Sequence, residues 1–544
     1  MRKLLLSLAL LGIGSALLAQ NSNRINLNNI EAHMSSNGSL FQTANAWGMF
    51  MIKDDQYKTA VFAASLWLSA YSGDTNYTAA QDYYLAGNAN YANSDYRFGP
   101  IANDYSLSSY NQEYDRVWQV SKQEIQDHQS LFADPSYQAP KDLLEWPAHG
   151  DTLNGEAAHL APFQDLNANK IYEPLLGEYP IIRGDQCLYA IFNDDSRHNP
   201  VSNISSAQLE IHVMLCAFQN PILPELRNSL FLNYNIHNRS DRNYDSIQVS
   251  LWNDTDLGNS GDDIIGSDAS LGMAYVYNAD SLDEGNGGFG IHPPAVGTRF
   301  LNGQSQGSQY FHNTWGFTGP TALINPLFGF QYEMVLNNHW IDGQPIRVED
   351  PSGKGSMLNG DGWDTLANTV NPITTWAYDD QENWFCSPAN LSDKRQLISH
   401  KDFSLNAGEK ICIDALMSYA RDSSSHDPFA AVLKLKTEQN LVEQYFDNQN
   451  FDCNSYQLAN KAYSSPKAPS LYPNPTGDFI QLDYPQRKFP AEIEIRTING
   501  QTLRKLILES SDQSIDVKDL SPGMYILQIL DDDAQAFNLP FIRA

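Results

Sequence analysis

The stretch LYPNPTGD at residues 471–478 is a dense cluster of turn-forming residues, and it divides the chain into two parts. Proline and glycine at this density are not tolerated inside a strand, so the stretch marks the start of a separate domain. Phe479 to Leu482 then predicts a first strand. Ile493 and Ile495 alternate with charged residues at period two, which is typical of a strand with one buried face. Residues 471–544 are therefore expected to form a small immunoglobulin-like β-sandwich.

Three ordered motifs in this segment carry a resemblance to a known domain. They are the YPNPTGD opening (472–478), the hairpin signal NGQ (499–501) and LSPGMYILQI (520–529), a turn that leads into a buried strand. Together they resemble the type A C-terminal sorting domain of the type IX secretion system of Bacteroidota. The resemblance implies passage through the outer membrane, removal of the domain, and attachment of the remainder to surface lipopolysaccharide. One departure is the last strand, FNLPFIRA (537–544), which has none of the lysines that the family usually carries there. Its Pro540 lacks a backbone donor, so this strand is expected to be short or irregular.

The N-terminus agrees with export. Arg2 and Lys3 precede an apolar run that starts at Leu4, and ALLA at 16–19 offers a small-residue cleavage site before Gln20. Residues 1–19 are therefore predicted to be a signal peptide for Sec export to the periplasm. No later segment reaches the roughly 18 apolar residues of a membrane-spanning helix, so no transmembrane segment is expected. The predicted location is the cell surface or the extracellular medium.

Composition excludes one class of partner. The 544 residues include 34 Lys and Arg against 64 Asp and Glu, a formal net charge of −30. Such a chain would be repelled by a phosphate backbone, so nucleic acid is not an expected partner. It would attract cations, and calcium is the abundant divalent cation outside cells. Aromatic residues make up 11% of the chain, which argues against disorder.

Five cysteines leave at least one unpaired, and none forms a C-x-x-C motif. Cys216 and Cys412 lie within apolar runs and are interpreted as small buried hydrophobic residues. A disulfide among the other three (Cys187, Cys386 and Cys453) is left open, because sequence alone does not determine a pairing.

The body, residues 20–463, is predicted to be a mainly β, antiparallel sandwich with a few helices, in one or two sub-domains. Gln208–Phe218 and Asn228–Asn238 are long strand-like runs, and the second is expected to form a hairpin with Ser246–Trp252. Residues 114–128 predict one helix. Asp427-Pro428 predicts the start of another, through an N-cap and a proline at the first helical position. A proline-rich linker follows at 464–470.

The body also resembles a group of large secreted proteins that carry type IX sorting domains. The matching segments are FAASLWL (62–68), YRFGP (96–100), WPAHGD (146–151), APFQDLN (161–167), GDQ (184–186), ND (193–194), WNDTDLG (252–258) and PPAVG (293–297). That group has no assigned activity. The resemblance therefore supports a cellular location and a domain architecture, and it implies nothing about biochemical activity.

The sharpest chemical pattern is DLNANKIYE at residues 165–173. Asp165, Asn167, Asn169, the carbonyl of Ile171 and Glu173 place oxygen atoms at alternate positions, as in the first half of a calcium loop. The pattern departs from the EF-hand, because Lys170 replaces the turn glycine and Leu176 stands in place of the bidentate glutamate. Glu178 or Asp185 could substitute only if the chain folds back. The sequence predicts a calcium ion here, with a plain turn as the alternative.

A second acidic cluster follows in residues 254–268, where carboxylates accompany Gly258, Gly261 and Gly266. Carboxylates this close repel one another unless they are solvated or share a cation. A second calcium site is predicted here, with a solvated loop as the alternative. Its candidate ligands are Asp254, Asp256, Asp262, Asp263 and Asp268.

The patterns of a nucleophile, a phosphate loop or a zinc-binding helix are absent from the sequence. His149 and His159 have no third ligand at a suitable spacing, and His212 is interpreted as structural. Paired carboxylates and scattered tryptophans (Trp67, Trp118, Trp252, Trp340, Trp363 and Trp384) are compatible with a sugar-cleaving site, although packing explains such tryptophans more often. The sequence therefore predicts a calcium-stabilised, adhesin-like protein that binds a glycan or a surface protein. The alternative is a secreted hydrolase acting on polysaccharide or peptide.

Overall fold

The computed structural model describes most of the chain from residue 21 to residue 543. The predicted signal peptide lies outside the described residues, as does the predicted linker apart from Ser470. The described residues are 21–43, 47–53, 57–83, 94–195, 201–220, 223–268, 271–285, 287–301, 307–313, 324–337, 339, 341–343, 347–350, 353–356, 376–378, 384–386, 393–448, 470–472, 476–483, 490–497, 501–508, 510, 513–530 and 536–543.

The chain divides into two compact units, residues 1–458 and residues 459–544. The first unit is the body, and its described helices are α1 (Ser108–Tyr114), α2 (Lys122–Leu131), α3 (Lys141–Leu144), α4 (Gly329–Leu336) and α5 (Phe429–Asn448). Its described strands, in chain order, are β1 (Ser22–Ile25), β2 (Ile30–Ser35), β3 (Phe50–Ile52), β4 (Lys58–Val61), β5 (Ala63–Ser72), β6 (Thr75–Ala79), β7 (Arg97–Phe98), β8 (Trp118–Ser121), β9 (Phe163–Gln164), β10 (Tyr179–Pro180), β11 (Gln186–Asn193), β12 (Leu209–Ala217), β13 (Ser229–Asn238), β14 (Tyr244–Asp254), β15 (Asp263–Asp268), β16 (Met273–Asn278), β17 (Leu282–Asp283), β18 (Gly290–Ile291), β19 (Ala295–Phe300), β20 (Gly307–His312), β21 (Arg347–Asp350), β22 (Gly353–Ser356), β23 (Trp376–Tyr378), β24 (Trp384–Cys386), β25 (Lys394–Leu405) and β26 (Lys410–Ala420).

Two large antiparallel sheets dominate the body, beside a four-stranded sheet β1-β2-β3-β4 and several two-stranded ones. The larger has the order β15-β16-β19-β26-β13-β12-β11-β7, with β8 also paired to β11, and the smaller has the order β20-β25-β14-β5-β6. Both sheets contribute to one apolar core, which contains for example Leu68 and Val249 from the smaller sheet and Val213 and Leu232 from the larger. Central strands such as β12 are buried along their whole length, because one face meets this core and the other is covered by loops and helices. The predicted mainly β, sandwich-like body is confirmed.

Helix α5 covers the outer face of the larger sheet. The backbone N–H of Phe429 donates to Oδ1 of Asp427 at 3.0 Å, so the predicted N-cap is present. Val432 and Leu435 pack with Tyr275 of β16 in a second apolar cluster. The predicted start of this helix is therefore confirmed.

The single helix predicted over residues 114–128 is wrong. Helix α1 ends at Tyr114, strand β8 follows, and α2 begins at Lys122. The apolar residues Trp118 and Val120 lie two apart and are buried against the larger sheet, so their spacing belongs to a strand. Ser121 then caps the start of a new helix. Its hydroxyl accepts from the backbone N–H of Glu124, and the carboxylate of Glu124 accepts from the backbone N–H of Ser121.

The hairpin predicted between residues 228–238 and 246–252 is also wrong. Strand β13 pairs with β12 and β26 in the larger sheet, whereas β14 pairs with β5 and β25 in the smaller one. Both strands alternate apolar and polar residues but are covered on both faces along most of their length, so each takes a central place in a different layer. The connection at 239–243 crosses between the layers, and the side chain of Asn238 braces it by donating to the carbonyl of Arg242 at 2.7 Å.

The second unit is a small sandwich. Its described strands are β27 (Ser470–Tyr472), β28 (Phe479–Asp483), β29 (Ala491–Thr497), β30 (Thr502–Leu508), β31 (Ser514–Asp516), β32 (Gly523–Leu530) and β33 (Ala536–Arg543), arranged as the sheets β27-β28-β31 and β30-β29-β32-β33. Ile480, Ile493 and Leu527 from the two sheets share one core. The prediction of a short last strand is wrong, because β33 pairs with β32 along its full length. Pro540 is tolerated because β33 is an edge strand in the described sheet.

Candidate functional sites

The predicted calcium loop connects β9 to β10, and these two strands pair with each other. The chain therefore folds back as the calcium interpretation requires. The carboxylate of Glu178 accepts from the backbone N–H of Leu166 at 3.0 Å and from that of Glu173 at 2.7 Å, and it is fully buried. Lys170 has a φ of 63°, so it adopts the left-handed conformation for which the EF-hand uses glycine.

The loop's oxygen atoms are already engaged with the loop itself. Oδ2 of Asp165 accepts from the backbone N–H of Lys170 at 2.8 Å, and Oδ1 of Asn169 accepts from that of Ile171 at 2.7 Å. The amides of Asn167 and Asn169 both donate to Oε2 of Glu173, at 2.8 and 2.6 Å. These side chains lie at the surface. The loop therefore brings its candidate ligands together and satisfies them with internal hydrogen bonds.

The second predicted cluster separates into several environments. Asp254, at the end of β14, and Asp256 lie together with Asp393, which precedes β25, and one carboxylate oxygen of each lies within 4.8 Å of the others. We call these three residues the acidic centre. Asp393 is distant in sequence and comes close because β14 pairs with β25, Asp254 being opposite Arg395. Only its pairing identifies it, since residues 393–395 (DKR) resemble an ordinary charged turn.

The remaining predicted ligands point elsewhere. Asp263 is buried near Asp256, and its Oδ2 accepts from the backbone N–H of Leu257 at 3.0 Å. Asp262 instead faces Asp283, and burial followed by that like charge raises the pKa of Asp262 to about 6. Asp268 forms an ion pair of 2.7 Å with Lys436 of α5. The sequence thus identified the region, and the fold selects two of the five aspartates for the acidic centre.

Arg395 is a cation within the acidic centre. Its guanidinium lies 2.8 Å from Oδ1 of Asp254 and also pairs with Asp393. The hydroxyl of Tyr83 donates to Oδ2 of Asp254 at 2.9 Å and accepts from Nε of Arg395 at 2.8 Å. One guanidinium therefore faces three carboxylates, and the formal charge of the group with all of them ionised is −2.

The electrostatic consequences are large because the group is buried. Burial, and then the charge of Asp256, raise the pKa of Asp254 well above its ordinary value. Burial raises the pKa of Asp256 to about 6, and Asp393 adds to the shift. Several buried atoms in this region have no hydrogen-bond partner among the described residues, including Oδ1 of Asp256, Oδ1 of Asp263 and Oγ1 of Thr255. Unpartnered buried oxygens are costly, and the buried ammonium of Lys394, which lies near Asp263 and Asp393, offsets only part of the negative charge.

A separate cavity of about 190 Å³ lies on the outer face of the larger sheet. Its floor is formed by strands β11, β12, β13 and β26, and residues 148–163 and Ile181 cover it. Polar residues at alternate positions of β12 and β13 face the same way here. The polar lining residues are His159, Tyr189, His212, Asn233, Asn235, His237 and Lys410.

A chain of hydrogen bonds anchors this floor. Glu210 is fully buried and accepts from Arg239 at 2.6 Å and from the backbone N–H of Ile101 at 2.9 Å. His212 lies between Glu210, with Nε2 at 3.0 Å, and the hydroxyl of Tyr189, with Nδ1 at 2.8 Å. Since Arg239 and His212 hold the pKa of Glu210 low, the carboxylate accepts from Nε2–H and the hydroxyl of Tyr189 donates to Nδ1. The structural interpretation of His212 missed this cavity, and the alternation of Glu210, His212, Asn235 and His237 within apolar strands was the available signal.

The cysteine interpretation needs a correction in the same strands. Cys187 and Cys216 are opposite each other on β11 and β12 and form a disulfide. Cys216 is therefore not a free hydrophobic residue, and Cys412 is also disulfide-bonded. The prediction of burial is confirmed for Cys216 and wrong for Cys412, which is half-buried, and burial does not distinguish a thiol from a disulfide, because both are apolar.

Comparison with known proteins identifies the second unit. Residues 470–538 match the family model of the secretion system C-terminal sorting domain. This supports a type IX secretion cargo protein. The domain directs export to the cell surface or the extracellular space. In the part of the chain that the structure describes, no helix is both long enough and apolar enough to cross a membrane.

The comparisons say little about the body of this cargo protein. No curated protein matches the sequence. A solved polysaccharide lyase matches with 7% identity and a TM-score of 0.18, over 61% of this chain and 34% of that one. The chain thus spans about a third of that structure's length. A TM-score this low supports no statement about fold or activity.

Proposed function

We propose that this exported protein is an adhesin-like binding or structural protein whose body is stabilised by calcium. The observation that carries the proposal is the acidic centre, whose formal charge is −2 when all three carboxylates are ionised. Asp254, Asp256 and Asp393 would be the central ligands, because a divalent cation among them would neutralise that charge. Thr255 and Asp263 offer further unpartnered oxygens nearby. The ion would act structurally, by linking the end of β14 to the start of β25.

The chemistry of the ligands favours calcium over other metals. The three carboxylates of the acidic centre offer oxygen ligands, and the metal-ligand group contains neither histidine nor cysteine among the described residues. Zinc and copper prefer those nitrogen and sulfur ligands. Magnesium requires a strict octahedron and retains waters, whereas calcium accepts six to eight oxygens in irregular arrangements.

A second, weaker calcium ion is proposed in the loop at 165–173. Asp165, Asn167, Asn169, the carbonyl of Ile171 and Glu173 would be its ligands. An ion there must compete with the Asn amides for the carboxylate of Glu173, which accepts from both of them. The loop keeps its shape through those hydrogen bonds, so the ion would add less.

Calcium titration of the full-length chain after chelation tests both sites. We expect a tight event that is lost in Asp256→Asn and Asp393→Asn, and a weaker one that is lost in Asn169→Ala. Asp127→Asn is a suitable control, because Asp127 is an exposed residue of α2 whose side chain accepts only from Gln123 among the described residues. Unchanged binding in Asp256→Asn and Asp393→Asn would refute the acidic centre as a calcium site.

Binding without catalysis is the second part of the proposal. Trp67, Trp118 and Trp252 are fully buried, so these candidates for sugar stacking serve the core instead. Trp67 and Trp252 stack on each other at 6.1 Å. A glycan or surface-protein ligand must therefore use other groups. Incubation of the calcium-loaded chain with pooled glycans and unfolded proteins should show retention without new reducing ends or amines, and reproducible product would favour the hydrolase.

The routing of the body is tested by truncation. Deletion of residues 471–544 should leave the protein in the periplasm, because nearly all of the matched sorting domain is removed. We further propose cleavage near residues 464–470 and attachment of the body to surface lipopolysaccharide. Mass spectrometry of surface-released protein checks that second step, and a retained C-terminus would count against it.

A further inference from the structure

The cavity on the larger sheet has a lining suited to an anion. Its carboxylate neighbours are already committed to arginines: Glu210 pairs with Arg239 at 2.6 Å, and Asp414 pairs with Arg183 at 2.8 Å. Each of these pairs is close to neutral. They therefore leave Lys410 as an additional positive charge at the cavity.

Lys410 has no carboxylate partner among the described residues. Its Nζ approaches only Oδ1 of Asn235, at 3.4 Å. It is half-buried at the start of β26, opposite His237 of β13. Burial, together with the charge of Arg183, lowers the pKa of Lys410. A carboxylate placed beside this ammonium would reverse that shift and gain a charge-assisted hydrogen bond.

The groups around Lys410 offer neutral hydrogen-bonding partners. His237 forms no hydrogen bond with the described part of the protein, and burial holds its pKa well below the ordinary value, so the ring is neutral. A neutral imidazole supplies one donor and one acceptor, which suits a hydroxyl group. The exposed His159 and the half-buried Asn235 line the same side, where the cavity opens to solvent.

Size restricts the occupant further. A single buried water requires about 10–15 Å³ on this measure, and the cavity has about 190 Å³. The apolar lining, from Leu160, Phe163 and Met214, would contact the non-polar face of a small ring. We propose that this cavity binds the carboxylate of an acidic sugar residue, a hexuronate, with Lys410 pairing its carboxylate and His237 and Asn235 bonding its hydroxyls.

The acidic character of the whole chain does not oppose this site. Charges separated by more than about 8 Å are largely screened at physiological ionic strength, whereas a half-buried pair is screened much less. The net charge of −30 would slow the approach of an acidic glycan, and local recognition would then depend on Lys410. The inference rests on the binding role proposed above and names the ligand class for it.

Calorimetric titration of the calcium-loaded, full-length protein tests the inference. Glucuronate and galacturonate are the probes, glucose and acetate are the controls, and a uronate oligomer distinguishes a chain residue from a free sugar. We expect uronate to bind at least about tenfold more tightly than either control, since each control lacks one of the two recognised groups. Lys410→Met should weaken uronate binding at least about tenfold, and Lys434→Met, an exposed residue of α5, should not change it.

The outcomes separate the inference from the binding role itself. Equal affinity for glucose and glucuronate, or unchanged binding in Lys410→Met, would overturn the inference. If uronates fail to bind while other glycans or surface proteins are retained, the proposed uronate site is wrong and the binding role stands. If the protein retains no glycan and no surface protein, both the uronate site and the binding role are refuted. His237→Phe provides a second variant if Lys410→Met misfolds by circular dichroism, and it should lower affinity for uronate and leave that for acetate unchanged. If the wild type cleaves the uronate oligomer and Lys410→Met does not, uronate remains the ligand class, and the proposed role changes from binding to catalysis.

Discussion

The loop at 165–173 and the acidic centre are both rich in oxygen ligands, yet they differ in burial and in hydrogen bonding. In the loop, backbone N–H groups and Asn amides saturate the carboxylates of Asp165 and Glu173 at the protein surface. In the acidic centre, Asp254 and Asp256 are withdrawn from water, and Oδ1 of Asp256 has no partner among the described residues. A charge in water costs little, whereas a buried charge without a partner costs several kcal/mol.

The difference shows that ligand spacing and the need for a cation are separate properties. Alternate oxygens arise wherever a turn is built from Asx residues, because their side chains also cap the turn's own backbone. The need for a cation arises when the fold buries more negative than positive charge. We therefore expect the acidic centre to control the calcium response of the body, and the following predictions test that comparison.

The largest effect is expected from Arg395→Met, which removes the cation from the acidic centre. Without calcium, the free energy of unfolding of the body should fall by about 3–5 kcal/mol, because the buried carboxylate of Asp254 and the half-buried carboxylates of Asp256 and Asp393 lose their cation. Saturating calcium should recover part of that loss. Urea unfolding with and without chelator measures both. Arg24→Met is the control, since its ion pair with Glu31 is exposed and should contribute less than about 1 kcal/mol.

An acid-dependent effect must be separated from calcium binding. His33 is buried in β2, and burial lowers its pKa to about 4. The unfolded chain, with a His pKa near 6.5, then binds more protons between pH 6.5 and 4, so the contribution of His33 to stability is present above pH 6.5 and is lost as pH falls to 4. The loss approaches about 3 kcal/mol, at about 1.4 kcal/mol per pH unit. The free energy of unfolding is measured against pH for the wild type and for His33→Gln, and the difference between the two profiles isolates the contribution of His33. This difference should be the same with and without calcium. If the two profiles run parallel between pH 6.5 and 4, the prediction is refuted.

Calcium withdrawal is the direct test of the comparison. At a hundredfold excess of calcium over its dissociation constant, an ion that binds only the folded state stabilises it by about 2.7 kcal/mol. Chelation should therefore lower the melting temperature of the wild type. Asp256→Asn and Asp393→Asn should lose most of that response, and Asp127→Asn should retain it. A melting temperature that chelator leaves unchanged would mean that the buried carboxylates are protonated and hold no ion.

The sequence predicted local structure well wherever one short-range pattern acts alone. Helix α5 begins at its N-cap Asp427, and β28, β29 and β30 lie where alternation and turns placed them. It failed where two patterns adjoin, as at Trp118 and Ser121. It also failed at β13 and β14, because apolar runs do not specify which sheet a strand joins.

The same limit applies to the sites. Asp254 and Asp256 were identified because they are neighbours in sequence, whereas Asp393 enters through the pairing of β14 with β25. The cavity was missed because its polar residues come from four strands, and each looks structural alone. His212 is the example: it has structural contacts with Glu210 and Tyr189, and it also lines the cavity.

The smallest effect is expected from Asn169→Ala in the loop. This change removes an acceptor for the N–H of Ile171 and a donor to Glu173, but the side chain is exposed and water can replace both contacts. The free energy of unfolding should fall by less than about 1 kcal/mol, and the melting response to chelator should remain close to that of the wild type. Urea unfolding and melting beside Asp256→Asn give the comparison under identical conditions. If Asn169→Ala abolishes the chelator response while Asp256→Asn keeps it, the two regions exchange roles: the exposed loop would be the calcium-dependent element, and Arg395 would suffice for the acidic centre.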